Sequence, residues 1–307
     1  MMSYQKFKDT WKEFGVSSQG FLRLSLDHPL EFQVGYASTT RKALIVMNTG
    51  EIEKIPCSNA INAESKQLAN GTWCLELQLL LEKYEEEFLC LGWDIIMYSQ
   101  DATNPINALI DRYLSWQKLL QYAEKGIMSF IRQKGLVGEL LHFKEIISQK
   151  GIDGAVKSWV GPDGSDQDFV YEDTWDEVKA VSLAAETVKI SSFEQLLQEK
   201  PGVLSVYVLE KTTPGDGRIL LSSLVNTLRE SLSQSDRLLD TFNLKLFKYG
   251  YRDRDKEEYD RNYFRFVERR DYIVDDSFPK LTKNNVPVEV VSGTYNLSLS
   301  AIEKYKR

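Results

Sequence analysis

The sequence has few of the residues on which several common chemistries depend. It contains only three cysteines, none in a C-x-x-C pair, and two histidines, His28 and His142. An odd number of separated cysteines favours reduced, buried thiols over a zinc site or a disulfide framework. Glu139 and His142 form one Glu-x-x-His pair, but a di-iron centre needs two such pairs, so the composition excludes it.

Other motifs are missing as well. No G-x-S-x-G sequence indicates a serine hydrolase, and no Walker A loop indicates a nucleotide-driven motor. No run approaches the ~18 apolar residues of a membrane-spanning helix, and the first residues, MMSYQKFKDTWKEF, lack the apolar core of a secretory signal. We therefore expect a cytoplasmic protein without a membrane partner, which would need a separate ATPase or helicase chain for any energy-driven task.

Charge is unevenly distributed along the chain. The formal net charge is −7, which argues against a surface coated with basic residues for nucleic acid. Residues 131–200 carry a net charge of −5, whereas residues 201–307 carry +2. A polyanion would therefore be held by the C-terminal third, and the acidic middle needs another explanation.

Periodicity divides the chain into strand-rich and helical stretches. Residues 1–80 contain short β-like runs, FLRLSL, EFQVGY, ALIVM and WCLELQLLL, separated by polar turns. From residue 82 apolar residues recur every three or four positions, which predicts helices. Pro105 is suited to open the second of them and Gly151 to end the third.

The remaining elements follow a mixed order. Between residues 127 and 209 we predict a helix, three strands (AVKSWVG, QDFVYE and DEVKAVSLA), a helix (SSFEQLLQEK) and a strand (GVLSVYVLE). Ser192 and Gln195 match a capping box for the second helix. Beyond them we predict a helix over residues 220–242 and the strands LKLFKYGY, YFRFVERRDYIV and VPVEVVSGTYNLSLSAI.

The acidic segment from residue 161 to residue 180 holds seven carboxylates. Side chains at i and i+2 of a strand point to the same face, so Glu177 and Lys179 should project together. Asp168 opens the preceding strand of a predicted hairpin and could lie opposite Glu177. Two converging carboxylates suit Mg²⁺, and an adjacent lysine can orient an attacking water or stabilise charge on a phosphoryl group.

This arrangement resembles the PD-(D/E)XK nuclease superfamily, in which an αβββαβ core carries an acidic residue on one strand and E-x-K on the next. Within it, the chain is similar to the PD-(D/E)XK motif proteins found among bacterial phage-defence and restriction-type genes. The specific motifs lie within residues 131–200. They are a G-L-x-G-E-L helix from Gly135 to Leu140, W-V-G-P from Trp159 to Pro162, D-F at Asp168-Phe169, E-V-K from Glu177 to Lys179, and a glutamine at Gln195.

The resemblance implies an α+β, restriction-endonuclease-like fold. A β-rich region ending in helices would span residues 1–105, the nuclease core residues 106–211 and an α+β region residues 212–307. The activity that the resemblance implies is Mg²⁺-dependent endonucleolytic cleavage of DNA that leaves a 5′ phosphate. Mn²⁺ could substitute for Mg²⁺, and the chain could form a homodimer.

Each site residue has an implied role. Asp168 and Glu177 would hold the metal, and Glu139 would be a further ligand or would orient a water. Lys179 would assist the attacking water, and Gln195 would be auxiliary. We expect the helix and the hairpin to bring these side chains into one concave pocket.

Several alternatives remain open. The literal Pro-Asp pair is Pro162-Asp163, and Asp166 is a second competitor for the role of Asp168. We prefer Asp168 because it directly precedes an apolar strand pair, whereas D-G-S-D is typical of a turn. Taken alone, an E-x-K triplet is usually an exposed ion pair and Gln195 is a helix cap. The rival function is a catalytically silent nuclease-fold subunit that binds DNA or acts as a scaffold in a multi-protein complex.

The C-terminal third interleaves basic and aromatic residues. The candidate phosphate contacts are Arg252, Arg254, Arg261 and Arg265. Such a pattern suits the gripping of phosphates and the stacking of bases. It is also the pattern of paired strands with ion-paired outer faces, and seven acidic residues lie in the same run, from residue 244 to residue 272.

Overall fold

The computed structural model describes residues 2–14, 20–38, 41–52, 55–123, 126–215 and 217–307. The chain divides into two compact units, Met1–Gly126 and Ile127–Arg307. No helix among the described residues is both long and apolar enough to cross a membrane.

The first unit combines an antiparallel sheet with helices. The elements are α1 (Tyr4–Phe14), β1 (Phe21–Arg23), β2 (Glu31–Tyr36), β3 (Lys42–Met47), β4 (Ile61–Gln67), β5 (Trp73–Leu79), α2 (Glu85–Gln100) and α3 (Pro105–Ala123). The strands of the sheet lie in the order β1-β2-β3-β5-β4. The predicted strands are present, but α1 and β4 were not predicted.

The second unit begins with a long helix and continues as a mixture of strands and helices. Its elements are α4 (Phe130–Ser158), β6 (Phe169–Val170), β7 (Trp175–Val181), β8 (Thr187–Ile190), β9 (Gly202–Thr212), α5 (Leu221–Leu232), α6 (Asp236–Tyr249), α7 (Lys256–Tyr259), β10 (Tyr263–Val274), β11 (Tyr295–Ser298) and α8 (Leu299–Ile302).

A mixed sheet in the order β10-β9-β7-β6 is the centre of the second unit. β7 runs parallel to β9, and the other pairs are antiparallel. One hydrophobic cluster joins this sheet to α4, α5 and α6, and a second joins its other face to β8, β11 and α8. The sheet is thus covered on both faces, which allows β9 to be an almost continuous run of apolar, buried residues.

Helix α4 is fixed by a cap, a stripe of apolar residues and a glycine. The Ser129 side chain accepts a hydrogen bond from the Arg132 backbone N–H and caps the helix. Leu136, Leu140 and Phe143 follow at helical spacing and have no exposed surface. At Gly138 a Cβ would lie 3.3 Å from Ala180 Cβ and 3.6 Å from a Val178 methyl, so the absence of a side chain lets α4 lie directly on β7.

Two secondary-structure predictions in the predicted nuclease core, residues 106–211, are wrong. AVKSWVG is not a strand: helix continues to Ser158 past a kink at Gly151 (φ 75°), and Trp159 forms a single antiparallel bridge to Phe169. Ala155 and Val156 are buried as helical residues, so tertiary packing overrides the β preference of valine. SSFEQLLQEK is not an α-helix either; it forms one 3₁₀ turn over residues 194–196.

The C-terminal third also departs from prediction. LKLFKYGY is the second half of α6, because Phe242 and Leu246 pack into the core at helical spacing. α5 and α6 are separate helices, with Ser235 capping the second. YFRFVERRDYIV forms β10 as predicted, whereas the last predicted strand is confined to residues 295–298. The overall class is nevertheless confirmed: a mixed α/β protein consistent with an α+β restriction-endonuclease-like fold.

The contact at Gly138 yields a stability prediction. Gly138→Val should lower the free energy of unfolding by about 1–3 kcal/mol, because the new side chain overpacks the contact between α4 and β7. Urea unfolding measures this difference. Gly215→Val is the control, since a Cβ at Gly215 meets only Arg218 Nε, at 3.8 Å. Equal stability of the two variants would contradict the close packing of α4.

Candidate functional site

Asp168 and Glu177 are brought together by the register of the β6–β7 hairpin. Phe169 pairs with Asp176 and Val170 with Trp175, so continuing the register by one residue places Asp168 opposite Glu177. Asp168 Oδ2 accepts a hydrogen bond of 2.9 Å from the backbone N–H of Val178. This bond fixes the Asp168 carboxylate beside the strand that carries Glu177.

Glu177 is the most deeply buried of these side chains. It has no exposed surface, and neither of its carboxylate oxygens has a hydrogen bond of ordinary geometry from any residue that the structure describes. Lys179 Nζ lies 2.6 Å from its Oε1, so the contact is an ion pair rather than a well-directed hydrogen bond. Burial, reinforced by the nearby Asp168 carboxylate, raises the pKa of Glu177 to about 8.

Glu139 approaches the same place from α4. β6 is the edge strand and has only two residues, so the sheet ends beside Asp168 and a side chain from the helical layer can reach this edge. The Trp159 indole donates a 2.8 Å hydrogen bond to Glu139 Oε2. Burial, followed by the charge of Asp168, raises the pKa of Glu139 well above its usual value, and burial also raises the pKa of Asp168.

Lys179 and Gln195 complete the group. Lys179 Nζ donates a 3.1 Å hydrogen bond to Gln195 Oε1, which also accepts 2.7 Å from the Ser191 backbone N–H. Burial acts to lower the pKa of Lys179, but the charges of Glu177 and Asp168 outweigh it and the pKa is raised. Lys179 therefore stays protonated, with its ammonium group held between the carboxylates and the amide.

The chemistry of these side chains suits a hard divalent cation, although they do not form a ready metal site. Oxygen ligands from carboxylates are those that Mg²⁺ and Mn²⁺ prefer, and the two buried oxygens of Glu177 receive no well-directed hydrogen bond from the described residues. In the described part of the chain, however, no three Asp, Glu, His or Cys side chains are grouped so that they could hold a metal ion. Glu177 has no exposed surface, so its side chain does not line an open pocket as expected.

The competing aspartates lie in other surroundings. Asp163 forms ion pairs with Lys245 (3.1 Å) and Lys248 (2.9 Å) of α6. Burial acts to raise the pKa of Asp163, but these two lysines outweigh it and the pKa is lowered. Asp166 is exposed in the preceding turn. Asp163 thus ties the loop before β6 to α6, and Asp168 is the aspartate that lies beside Glu177.

His142 belongs to a polar network on the face of β7 that packs against α4. Its Nε2 lies 2.9 Å from Asp176 Oδ2 and its Nδ1 lies 3.2 Å from the Tyr207 hydroxyl. The Tyr207 hydroxyl in turn donates to Glu145. His142 is therefore a buried hydrogen-bonding residue that ties α4 to the sheet.

The four arginines predicted to contact phosphates differ in their exposure to solvent. Arg252 is buried; its guanidinium donates to the backbone oxygens of Phe247 and Tyr251. Arg261 is exposed and pairs with Glu258 at 2.8 Å. Arg254 and Arg265 are exposed. The guanidinium of Arg252 therefore forms hydrogen bonds with the protein backbone instead of facing the solvent.

Helix α6 supplies neighbours of the site that the sequence interpretation missed. Lys245 donates to the Trp159 backbone oxygen, and the Tyr249 hydroxyl packs against α4 at Gly135, where a Cβ would lie 2.9 Å from it. These residues were assigned to a strand, which concealed their spacing. Ser235 as a cap, Gly250 in the left-handed region and the Phe242–Leu246 spacing are signals that could have revealed the helix.

Comparison with known proteins identifies the family of the chain. A family model described as "Putative PD-(D/E)XK family member, (DUF4420)" matches residues 7–300, which is nearly the whole chain. No curated protein and no solved structure matches the chain.

The raised pKa of Glu177 predicts a specific pH dependence of stability without metal. Because the native pKa is about 8 and the ordinary value is 4.5, the contribution of Glu177 is fully present below pH 4.5 and is lost as the pH rises to about 8. Between pH 5 and 8 the wild type should therefore lose about 1 kcal/mol or more relative to Glu177→Gln. Urea unfolding across this range tests it, and parallel pH profiles would contradict it.

Proposed function

The chain belongs to this family of PD-(D/E)XK proteins, and membership of the family indicates a nuclease; we propose that the chain is a divalent-metal-dependent endonuclease that hydrolyses phosphodiester bonds of DNA. The observation that carries the proposal is geometric: the Val178 N–H holds Asp168 beside β7, and Glu177 lies 2.6 Å from Lys179 on the same strand. Glu139 of α4 lies close enough for the charges of Asp168 and Glu177 to raise its pKa.

The electrostatics of this cluster favour a cation. Glu139 and Glu177 are buried and Asp168 is half-buried, with the Lys179 ammonium group beside them. The pKa values of Glu139 and Glu177 are raised by burial and by the charge of the neighbouring carboxylates, whereas burial raises that of Asp168. Protons relieve the repulsion in the metal-free protein. A divalent cation would relieve it more completely, so its binding should release protons and should strengthen as the pH rises.

Each side chain has a role in the proposed reaction. Asp168 and Glu177 would hold the cation, with Glu139 as a further carboxylate. When bound, the cation supplies Lewis acidity towards the phosphoryl group and makes a water more acidic. Lys179 carries a positive charge that can orient the attacking water and stabilise charge on the phosphoryl oxygens. Gln195 accepts a hydrogen bond from Lys179 and holds its ammonium group in place.

The choice of DNA and of a restriction-type defence role rests on the sequence motifs. The exposed side chains of Arg254, Arg261 and Arg265 support a contact with phosphates. Arg252 is buried and is not part of this contact. Partner ATPase or helicase chains and a homodimer belong to the same proposal.

A second candidate function is a silent nuclease-fold subunit that binds DNA or serves as a scaffold. The observation in its favour is the full burial of Glu177, together with the absence, among the described residues, of a carboxylate group already arranged around a metal. A catalytic site must open towards its substrate, whereas a scaffold need not. Metal binding separates the two candidates.

Substitutions in the cluster should have different effects on binding and cleavage. In the wild type, Mg²⁺ or Mn²⁺ at a hundredfold excess over Kd should stabilise the fold by about 2.7 kcal/mol. Asp168→Asn should diminish this stabilisation and abolish cleavage, because it removes a ligand. Lys179→Ala should abolish cleavage but preserve or improve metal binding, because it removes a competing positive charge. Calorimetry and plasmid cleavage measure the two effects.

Asp163→Asn is the matched control for Asp168→Asn. It neutralises a nearby aspartate that pairs with Lys245 and Lys248 outside the carboxylate cluster, so metal binding and cleavage should persist. If Asp168→Asn binds metal like the wild type while Asp163→Asn does not, the assignment of Asp168 is wrong. If the wild type binds no divalent ion, the scaffold function is favoured.

A further inference from the structure

Gln167 is a buried amide at the end of an exposed loop. Residues 163–166 of the loop before β6 are exposed, whereas Gln167 is 1% exposed. A buried amide loses its hydrogen bonds to water, so its oxygen and its nitrogen both need partners in the protein. These partners decide which element the end of the loop is tied to.

The hydrogen bonds of Gln167 join the loop to the segment after β8. Its Nε2 donates to the backbone oxygen of Glu194 at 2.8 Å and, more weakly, to that of Gln195 at 3.4 Å. Its Oε1 accepts a 2.6 Å hydrogen bond from Gln198 Nε2. Backbone oxygens only accept hydrogen bonds, so the amide nitrogen must face them and the orientation of the Gln167 amide is fixed.

The 3₁₀ turn over residues 194–196 depends on such contacts from outside it. Its internal hydrogen bond runs from the Leu197 backbone N–H to the Glu194 oxygen. A turn this short leaves its other backbone groups to external partners. Gln167 supplies a donor to the oxygens of both Glu194 and Gln195. It therefore fixes the backbone that carries the Gln195 side chain.

The Gln195 side chain joins this turn to Lys179. Its Oε1 accepts from the Ser191 backbone N–H at 2.7 Å and from Lys179 Nζ at 3.1 Å. Because a backbone N–H also holds this oxygen, the oxygen has a fixed place to which the ammonium group comes. The Lys179 side chain is 17% exposed and also pairs with Glu177. The 3₁₀ turn and Glu177 together thus set the location of the ammonium group.

We propose that Gln167 is a positioning residue that fixes the Lys179 ammonium group through the backbone of the 3₁₀ turn and the Gln195 side chain. The inference rests on the proposed function, in which Lys179 orients the attacking water. A shift of about 1 Å in a group that acts on the reacting atoms can lower a rate by about a hundredfold. Gln167 acts through Gln195 and is not itself a catalytic residue.

The first experiment follows the position of Lys179 without metal or substrate. The full-length protein is labelled with a trace of acetic anhydride at constant pH, and mass spectrometry gives the rate at Lys179 relative to the exposed Lys144. Gln195→Met should raise this rate, because it removes a partner that shields the ammonium group. Gln167→Met keeps a side chain of similar length but removes both hydrogen-bonding groups, and it should raise the rate to a similar extent.

Gln133→Met is the matched control. Gln133 is 3% exposed, donates through Nε2 to the Met128 backbone oxygen at 2.7 Å and accepts from Asn262 Nδ2 at 3.0 Å. Substitution therefore removes the same kinds of hydrogen bond as at Gln167, but these bonds join α4 to residues outside the 3₁₀ turn. Gln133→Met should lower stability in urea to a similar extent and leave the labelling of Lys179 unchanged.

The second experiment measures plasmid cleavage with Mn²⁺. Gln167→Met should lower kcat by about tenfold or more and leave KM for DNA unchanged, because it displaces a group that acts in the transition state rather than one that holds DNA. Gln198→Ala removes only the hydrogen bond to Gln167 Oε1, and since Gln198 is exposed it should fold like the wild type. Its effect on kcat should have the same direction and be smaller.

The outcomes separate this proposal from the proposed function. If the wild type binds no metal and cleaves no DNA, the proposed function fails, and the labelling alone decides whether Gln167 positions Lys179. If Gln195→Met raises the labelling of Lys179 but Gln167→Met does not, the role of Gln167 is overturned. Unchanged labelling in both variants, an equal rise in Gln133→Met, or cleavage by Gln167→Met at the wild-type kcat would overturn it as well.

Discussion

The mutual repulsion of buried carboxylates is the constraint on which the candidate site depends. Glu139, Asp168 and Glu177 come from a helix, the start of an edge strand and a central strand, yet they lie close enough for their charges to interact. Lys179 offsets part of the negative charge, and protons offset more of it at neutral pH. The fold keeps these carboxylates together despite the free-energy cost of their repulsion, and their negative charge favours the binding of a cation. This is the physical basis of the metal-dependent function that we propose.

The surrounding structure keeps the carboxylates in place by neutral contacts. The Val178 backbone N–H holds Asp168, the Trp159 indole holds Glu139, and the Gln195 amide holds Lys179. Charged pairs lie farther out, where Asp163 ties the loop before β6 to two lysines of α6. The lysine whose charge acts on both Asp168 and Glu177 is Lys179.

Much of the site could be predicted because its residues lie close together in sequence. The spacing of Glu177 and Lys179 on a strand and the position of Asp168 before an apolar pair depend on local geometry, and the hairpin register follows from them. The contribution of α6 could not be predicted in this way. LKLFKYGY has the composition of a strand, and its helical form depends on the burial of Phe242 and Leu246 against α4 and its neighbours.

The sequence by itself determined the order of the acidic residues, the mixed α/β class and the lack of a histidine- or cysteine-based centre. These follow from residue identity and short-range periodicity. Only the tertiary structure decided that Asp163 pairs with lysines, that Arg252 is buried and that the Tyr249 hydroxyl packs against Gly135 of α4. Each of these depends on contacts between residues about a hundred positions apart, or on burial, and burial is a property of the packed chain rather than of any segment in it.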